Sequence, residues 1–162
     1  MDPAVEHFIE RMGLEAEADG LPRISGRILA FLITAEAPAS LDGIAEALRV
    51  SRASVSTNCR LLEEIGAAGR VSLPGDRKDY YELAPGFPER FFASTRKRTR
   101  SKVKLAEEAL ARLPEGEATA RERMTLWRDF HAFILDELDG VEGRWRILAA
   151  DRDALTPPSS SR

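Results

Sequence analysis

The segment SRASVSTNCRLLEEIG, residues 51 to 66, begins with small and polar side chains and becomes apolar only in its second half. In a helix, Val55, Cys59 and Leu62 fall on one side, at positions i, i+4 and i+7. The side chains that then face outward are those of Arg52, Ala53, Ser54, Ser56, Thr57 and Arg60. Hydroxyl groups can bond to phosphates or base edges, and arginine can bind guanine through two hydrogen bonds. The pattern predicts a helix whose outward face fits the major groove of DNA.

Two more cations, Arg77 and Lys78, lie between two segments with the composition of β-strands. Residues 71–73 and 80–83 are rich in β-branched, aromatic and aliphatic side chains, and Pro74 and Gly75 mark a tight turn between them. The sequence thus predicts a β-hairpin with a basic tip. The simpler alternative is that Arg77 pairs with an acidic neighbour in the turn.

A third basic segment covers residues 90–104, which contain seven arginines and lysines and no acid. The rest of the chain is acidic, and the net charge is −3. Because binding to phosphate depends on where the bases lie, this segment can still contact DNA. The residues expected to make these contacts are Arg96, Lys97, Arg100 and Lys104. The alternative is a solvated helix face.

The remaining reactive and aromatic residues give weaker indications. Cys59, the single cysteine, is expected to be a buried small side chain, and a redox-sensing role is the alternative. Trp127 and Phe130 are expected mainly in the core, although aromatic faces can also line a pocket for a ligand such as a quaternary ammonium. The two histidines lack metal-ligand spacing, and no phosphate loop, nucleophile elbow or HExxH motif occurs. We therefore expect neither an enzyme nor a metal or cofactor.

Length and composition indicate an ordinary globular protein of 162 residues, 43% of them hydrophobic and 31% charged. No apolar run approaches the roughly 20 residues that span a bilayer. The acidic, amphipathic N-terminal segment does not resemble a secretory signal, and one cysteine fits a reducing compartment. The expectation is a cytoplasmic protein without membrane contact.

The elements that position these residues are predominantly helical. We predict a mainly α fold with a small β-hairpin wing: a winged helix-turn-helix flanked by long dimerisation helices. The flanking helices have more apolar surface than one small domain can cover, which favours a homodimer. The predicted regions are an N-terminal dimerisation helix (1–20), a DNA-binding domain (21–84), a C-terminal helical dimerisation region (85–150) and a disordered tail (151–162).

Within the DNA-binding domain, a short helix from Leu41 to Leu48 precedes the helix that begins after Ser51, a good N-cap residue. Arg49 occupies the turn position where glycine is often found. Residues 37–40 are expected to form a turn. Helix, helix and hairpin in this order are typical of a winged helix.

With these residues in place, the chain resembles the winged-helix core of the MarR superfamily over about residues 24–83. The recognition-helix motif SRASVS-N-R-L and the wing motif GDRKDYY are closest to the GbsR-like branch. The resemblance implies a homodimeric transcriptional regulator that binds double-stranded DNA. Its first and last helices would form the dimer interface, and a small-molecule effector would modulate its binding. The DNA-contacting positions that it implies are Arg52, Ser54, Ser56, Thr57, Arg60, Arg77 and Lys78.

Two alternatives stay open at this point. A winged helix can serve as a protein-interaction module that never touches DNA, although an exposed apolar patch would then be expected in place of arginines and hydroxyls. A regulator that responds to oxidation through Cys59, where the family pattern favours a leucine-type residue, is the other. The sign of regulation is predicted as repression.

Overall fold

The structure is a computed structural model and describes residues 1–155. Its elements are α1 (Pro3–Ala18), α2 (Arg23–Thr34), β1 (Ala39–Ser40), α3 (Leu41–Leu48), α4 (Arg52–Glu64), β2 (Ala68–Val71), β3 (Tyr80–Leu83), α5 (Phe87–Arg112) and α6 (Ala118–Leu155). Two compact units share these elements, residues 1–94 and the chain from Thr95 onward. Of the tail expected at residues 151–162, residues 151–155 continue α6, and residues 156–162 lie outside the described part.

The first unit confirms the predicted winged helix-turn-helix. Its antiparallel sheet has the strand order β1-β3-β2, with Ala39 opposite Tyr81 and Val71 opposite Tyr80. The short strand β1 lies where the sequence analysis predicted only a turn. The strand was not predicted because a two-residue segment carries no sequence pattern that reveals its pairing with β3. Strand β2 also begins earlier than expected, at Ala68, and ends at Val71 rather than at Leu73.

The core of this unit lies between α2, α3, α4 and the sheet. Val55, Cys59 and Leu62 on the inner side of α4 are almost fully buried, as their spacing predicted. They belong to one hydrophobic cluster with Ile28 of α2 and Ile44 of α3. This anchoring from behind fixes which side of α4 faces solvent.

Helices α1 and α2 pack very closely because glycines lie where they cross. A Cβ atom added to Gly26 would lie 2.2 Å from the backbone oxygen of Met12, and one added to Gly13 would lie 2.7 Å from Arg27 Cγ. On α1, Phe8 is 37% exposed, whereas the small residue Ala16 is buried. Small residues occupy the contact because a larger side chain would force the helices apart.

The turn between α3 and α4 contains a residue in the left-handed conformation. Arg49 has φ 54° and ψ 48° at the end of α3, in the position where glycine is usual. Ser51 then caps α4 by accepting a hydrogen bond from the Ser54 N–H at 3.2 Å, as expected. This turn sets the direction in which α4 leaves α3.

The end of α4 lies against the first turns of α5. Gly66 has φ 79°, and a Cβ atom there would lie 2.6 Å from the backbone oxygen of Arg90. The Ser94 hydroxyl also donates to the backbone oxygen of Glu64 at 2.8 Å. Helix α4 is therefore held at both ends within the first unit.

The second unit contains α5 from Thr95 and helix α6. On α5, Thr99 and Ala106 are buried. On α6, His131 is buried, but Trp127, which was expected mainly in the core, is 52% exposed, and Val141 is 40% exposed. The sequence alone could not choose the inner side of α6, because apolar residues occur on both of its sides.

A charged cluster lies inside this second unit. Glu142 is buried although it is charged, and it forms ion pairs with Arg96 of α5 and with Arg146 one turn further along α6. Asp139 also pairs with Arg96, with 2.8 Å between the atoms. Burial of a carboxylate is tolerated here because two guanidinium groups compensate for the lost hydration.

None of the helices in residues 1–155 is both long and apolar enough to cross a membrane.

Candidate nucleic-acid interface

Within the first unit, no other element covers the outward surface of α4. Arg52, Thr57 and Arg60 are exposed, while Ser54 and Ser56 are half-buried beside them. The predicted contact residues of this helix therefore share one accessible surface, which we call the recognition surface: Arg52, Ser54, Ser56, Thr57 and Arg60. Its side chains are short except for the two arginines, so a duplex can approach the helix backbone closely.

Two hydrogen bonds to the backbone of α4 shape this surface. The Arg60 Nε atom donates to the Ser56 backbone oxygen at 3.3 Å, which lays the arginine along the helix. The Asn58 side chain is buried and donates through Nδ2 to the Ser54 backbone oxygen at 2.8 Å. The sequence reasoning did not single out Asn58. Its place between Val55 and Leu62 is the signal, since a polar residue at that position must find a partner inside the fold.

The first residue of α4 has an acidic neighbour on α3. Arg52 Nε lies 3.0 Å from Asp42 Oδ1, and both side chains are more than half exposed. The sequence reasoning missed Asp42. The relation between the two residues depends on the angle between α3 and α4, which a one-dimensional pattern does not contain.

The two acidic residues of the wing, Asp76 and Asp79, form contacts with other residues of the wing. Asp76 accepts hydrogen bonds from the Tyr80 hydroxyl at 2.7 Å and from the Lys78 backbone N–H at 2.9 Å. Asp79 pairs with Arg70, with 2.6 Å between Oδ1 and Nη2. The simpler alternative for Arg77, an ion pair with Asp76 or Asp79, is therefore not what the structure has. Arg77 and Lys78 are exposed, and within residues 1–155 neither side chain forms an ion pair.

These contacts change the acidity of two wing side chains. The Tyr80 hydrogen bond, with help from the Lys78 backbone N–H, holds the pKa of the Asp76 carboxyl below its ordinary value. The same hydrogen bond to Asp76 raises the pKa of the Tyr80 hydroxyl. At neutral pH, the wing turn therefore keeps a charged Asp76 and a neutral Tyr80 in one hydrogen-bonded unit.

The basic segment of α5 is only partly available. Lys97 and Arg100 are exposed, and Lys104 lies 3.7 Å from Glu108. Arg96, however, is only 22% exposed and is held by Asp139 and Glu142 of α6, which raise its pKa, with the Glu142 hydrogen bond as the largest cause. The prediction for Arg96 therefore needs correction, because its guanidinium already serves two carboxylates in this structure.

Cys59 lies beneath the recognition surface and is fully buried. Burial raises the pKa of its thiol to about 12, and the charge of Glu63 adds to the effect. A thiol with this pKa is almost entirely protonated at neutral pH, and oxidants react with the thiolate. The geometry thus favours the packing role of Cys59 over redox sensing.

The aromatic residues of α6 do not form a core in the second unit. Phe130 is 57% exposed, so the expectation that it lies mainly in the core is wrong for a single chain, and Phe133 is 59% exposed. Trp127 does line an apolar groove of about 300 Å³ between α5 and α6. The groove's lining residues are Leu105, Ala106, Ala109, Arg123, Met124 and Trp127. Phe130, the second residue predicted for a ligand pocket, is not among them.

His131 is buried next to this groove. Its ring lies 4.3 Å from the Trp127 ring, and its Nδ1 atom lies 2.8 Å from the Trp127 backbone oxygen. His131 is therefore a packed histidine whose ring nitrogen lies within hydrogen-bonding distance of the backbone. Residues 1–155 contain no group of three or more histidine, cysteine, aspartate or glutamate side chains that could hold a metal ion.

Comparison with known proteins places both units in one family. Residues 19–79 match the MarR family, and residues 86–147 match the family described as MmpR5-like MarR family transcriptional regulators. The HTH-type transcriptional regulator MmpR5 of Mycobacterium tuberculosis is 30% identical over 94% of this chain and 93% of its own length. The putative HTH-type transcriptional regulator YvaV of Bacillus subtilis is 27% identical over 83% of this chain and 85% of its own. A crystal structure of a transcriptional regulator, 30% identical, superposes with a TM-score of 0.76 and covers 89% of this chain and 99% of that one.

Proposed function

Because the chain belongs to the MarR family of transcriptional regulators, we propose that it binds specific DNA sequences as a homodimer and represses transcription. The observation that carries the proposal is the recognition surface. Its arginines and hydroxyls are accessible on one side of α4, while Val55, Cys59 and Leu62 anchor the other side. A major groove is about as wide as an α-helix, so α4 can enter it with these side chains against base edges and phosphates.

The wing supplies the second part of the interface. Arg77 and Lys78 at its tip reach the DNA backbone or the adjacent minor groove when α4 lies in the major groove. Their cations are available because Asp76 and Asp79 have other partners. The recognition surface then contacts bases and positions the helix, through Arg52, Ser54, Ser56, Thr57 and Arg60. The wing adds affinity.

The exposed apolar side of α6 supports dimerisation. Seven large hydrophobic side chains of α6 are at least 40% exposed in one chain: Leu126, Trp127, Phe130, Phe133, Val141, Ile147 and Leu148. We call these residues the apolar face of α6. An apolar surface of this extent marks an interaction site, and a second copy covers it with the same face under twofold symmetry. Two recognition helices then meet half-sites about 34 Å apart, one turn of B-DNA.

The basic segment of α5 is proposed to add phosphate contacts through Lys97, Arg100 and Lys104. Lys97 and Arg100 are exposed and have no acid one turn away within the segment. Arg96 is left out, since its pairing with two carboxylates opposes a phosphate contact.

A small apolar molecule is the proposed effector, and the groove beside Trp127 is its proposed binding place. A volume of about 300 Å³ with a mostly apolar lining suits a small ligand. The assignment to the GbsR-like branch stays a proposal that rests on the motifs SRASVS-N-R-L and GDRKDYY. We further propose that the protein works in the cytoplasm and catalyses no reaction.

The test is a selection of bound duplexes from a random pool, followed by a salt series on the selected duplex. We expect an inverted repeat with half-sites one helical turn apart. Replacing Lys97 and Arg100 by glutamine removes up to four phosphate contacts from a dimer on its operator. The slope of log K against log salt is therefore expected to fall by about 3 to 4, because each lost contact removes about 0.9. Lys102→Gln, which removes a charge from another side of α5, serves as the control.

Outcomes that contradict the proposal are equally concrete. A chain that binds no duplex at low salt acts as a protein-interaction module instead of a DNA-binding regulator. A selected sequence without twofold symmetry argues against the dimer. An unchanged salt slope in the Lys97→Gln, Arg100→Gln variant returns the basic segment to a solvated helix face.

A further inference from the structure

Asp42 and Arg52 form an ion pair on the surface of the first unit, at the edge of the recognition surface. Asp42 lies in the first turn of α3, and Arg52 is the first residue of α4. The distance from Arg52 Nε to Asp42 Oδ1 is 3.0 Å, and the side chains are 63% and 58% exposed. An ion pair this exposed contributes little to the stability of a fold. Its effect is to restrict where the Arg52 guanidinium lies.

The position of Arg52 on its helix makes this partner significant. A positive charge at a helix N-terminus is unfavourable, because the peptide dipoles already place partial positive charge there. The first turn of α4 contains no acidic residue that could compensate. Asp42 supplies the negative charge from the neighbouring helix instead.

The pairing engages only one side of the guanidinium. Asp42 lies at Nε, and within the described residues no other hydrogen bond or ion pair involves the Arg52 side chain. Both Nη groups are therefore available as donors. Two parallel donors of one arginine can bind O6 and N7 of a guanine, the arrangement that distinguishes this base in the major groove. The N-terminal residues of a recognition helix are the ones that contact base edges.

We propose that Asp42 is a positioning residue that sets the base specificity of Arg52. Asp42 holds Nε so that the Nη fork points away from α3, toward a base edge. Its own carboxylate repels phosphates and thereby weakens binding to DNA in which Arg52 finds no guanine. This inference rests on the proposed DNA-binding function and adds a residue that touches neither base nor phosphate.

The test compares four full-length variants on two probes, the duplex selected by the unaltered protein and a duplex of the same composition in scrambled order. The variants are Asp42→Asn, Arg52→Ala, the double variant and Glu46→Gln. Glu46 is an exposed acid on the same helix that forms no ion pair among residues 1–155, so Glu46→Gln is a matched control for the loss of one negative charge.

Asp42→Asn is expected to bind the scrambled duplex more tightly and to lower the ratio of the two affinities by about fivefold, part of the discrimination that one bidentate contact provides. The loss should be confined to one base pair of each half-site, the same one at which Arg52→Ala loses its preference. Glu46→Gln should keep the ratio within about twofold, since it alters only long-range charge. In the Arg52→Ala background, Asp42→Asn should change the ratio no further. The melting temperature is expected to stay the same in all variants.

The role of Asp42 is overturned if Asp42→Asn and Glu46→Gln lower the ratio equally, or if the effect of Asp42→Asn persists without Arg52. In both cases the selected sequence still stands, so the proposed function survives. If the unaltered chain enriches no sequence from the random pool, the proposed function fails and the role of Asp42 fails with it.

Discussion

At the scale of single residues, the wing turn depends on one hydrogen bond between side chains. The Tyr80 hydroxyl donates to Asp76, and this contact is the largest cause of the lowered pKa of that carboxyl. Tyr80→Phe is therefore expected to raise the pKa of Asp76 toward its ordinary value. A carboxyl whose folded pKa is lowered contributes to stability above its unfolded pKa of about 4, and the contribution disappears as pH falls through the lowered value.

The measurement is a pH titration of the Asp76 carboxyl carbon by NMR in the unaltered protein and in Tyr80→Phe. The Lys78 backbone N–H still donates in the variant, so the rise should be partial. An Asp76 titration curve that does not move would show that the hydroxyl contact is absent in solution. DNA affinity should fall modestly in the variant, since Arg77 and Lys78 are then less well positioned.

Whether a residue's role could be predicted from the sequence depended on how far along the chain its contacts lie. Ser51 as an N-cap and the burial of Val55, Cys59 and Leu62 depend on neighbours within two helical turns, and the sequence was sufficient to predict them. The partners of Arg96 lie 43 and 46 residues further along the chain. No local pattern identifies them, and the exposed cation that was expected is in fact an internal contact.

At the scale of elements, the crossing of α1 and α2 depends on Gly26. A Cβ atom there would lie 2.2 Å from Met12 O, a contact that only a shift of α1 can relieve. Gly26→Ala is expected to lower the free energy of unfolding by about 2 kcal/mol or more, as overpacking does. The measurement is urea denaturation followed by circular dichroism.

Gly43→Ala is the matched control for this substitution. A Cβ atom at Gly43 would have its nearest neighbour at 3.4 Å, the flexible Ser40 hydroxyl. Alanine should stabilise α3 by up to about 1 kcal/mol, because glycine is a poor helix former. Equal effects of the two substitutions would show that α1 and α2 do not pack this closely in solution.

Elements were predictable where their signals were strong and local. Helices α3 and α4, strand β3 and the order of the fold follow from caps, spacing and turn residues. Strand β1 was missed because two residues carry no periodicity, and its pairing is provided by β3. Trp127 and Phe130 of α6 were wrongly expected mainly in the core, because a helix with apolar residues on two sides does not show which side is buried.

At the scale of the whole molecule, the apolar face of α6 predicts the oligomeric state. Replacing both Phe130 and Phe133 by glutamate is expected to convert a dimer to a monomer in sedimentation velocity. The reason is that two buried charges without partners oppose association. DNA affinity should fall as well, because one monomer reaches only one half-site.

Ala132→Glu is the control for this double variant. It adds a charge to an exposed flank of the same helix, outside the apolar face. This variant should remain dimeric. A protein that is monomeric before any substitution, or a Phe130→Glu, Phe133→Glu variant that stays dimeric, would show that the face serves another purpose.

The burial of Cys59 on the inner side of α4 limits the kinds of signal to which the molecule can respond. The Cys59 thiol lies inside the core and has a pKa of about 12, so at neutral pH almost no thiolate is present to attack hydrogen peroxide. We expect peroxide treatment to leave operator occupancy unchanged, which a gel-shift assay before and after exposure would check. This expectation agrees with the proposed effector, a molecule that binds and can later dissociate. Such a response is reversed by dilution, without any need for a cellular reductant.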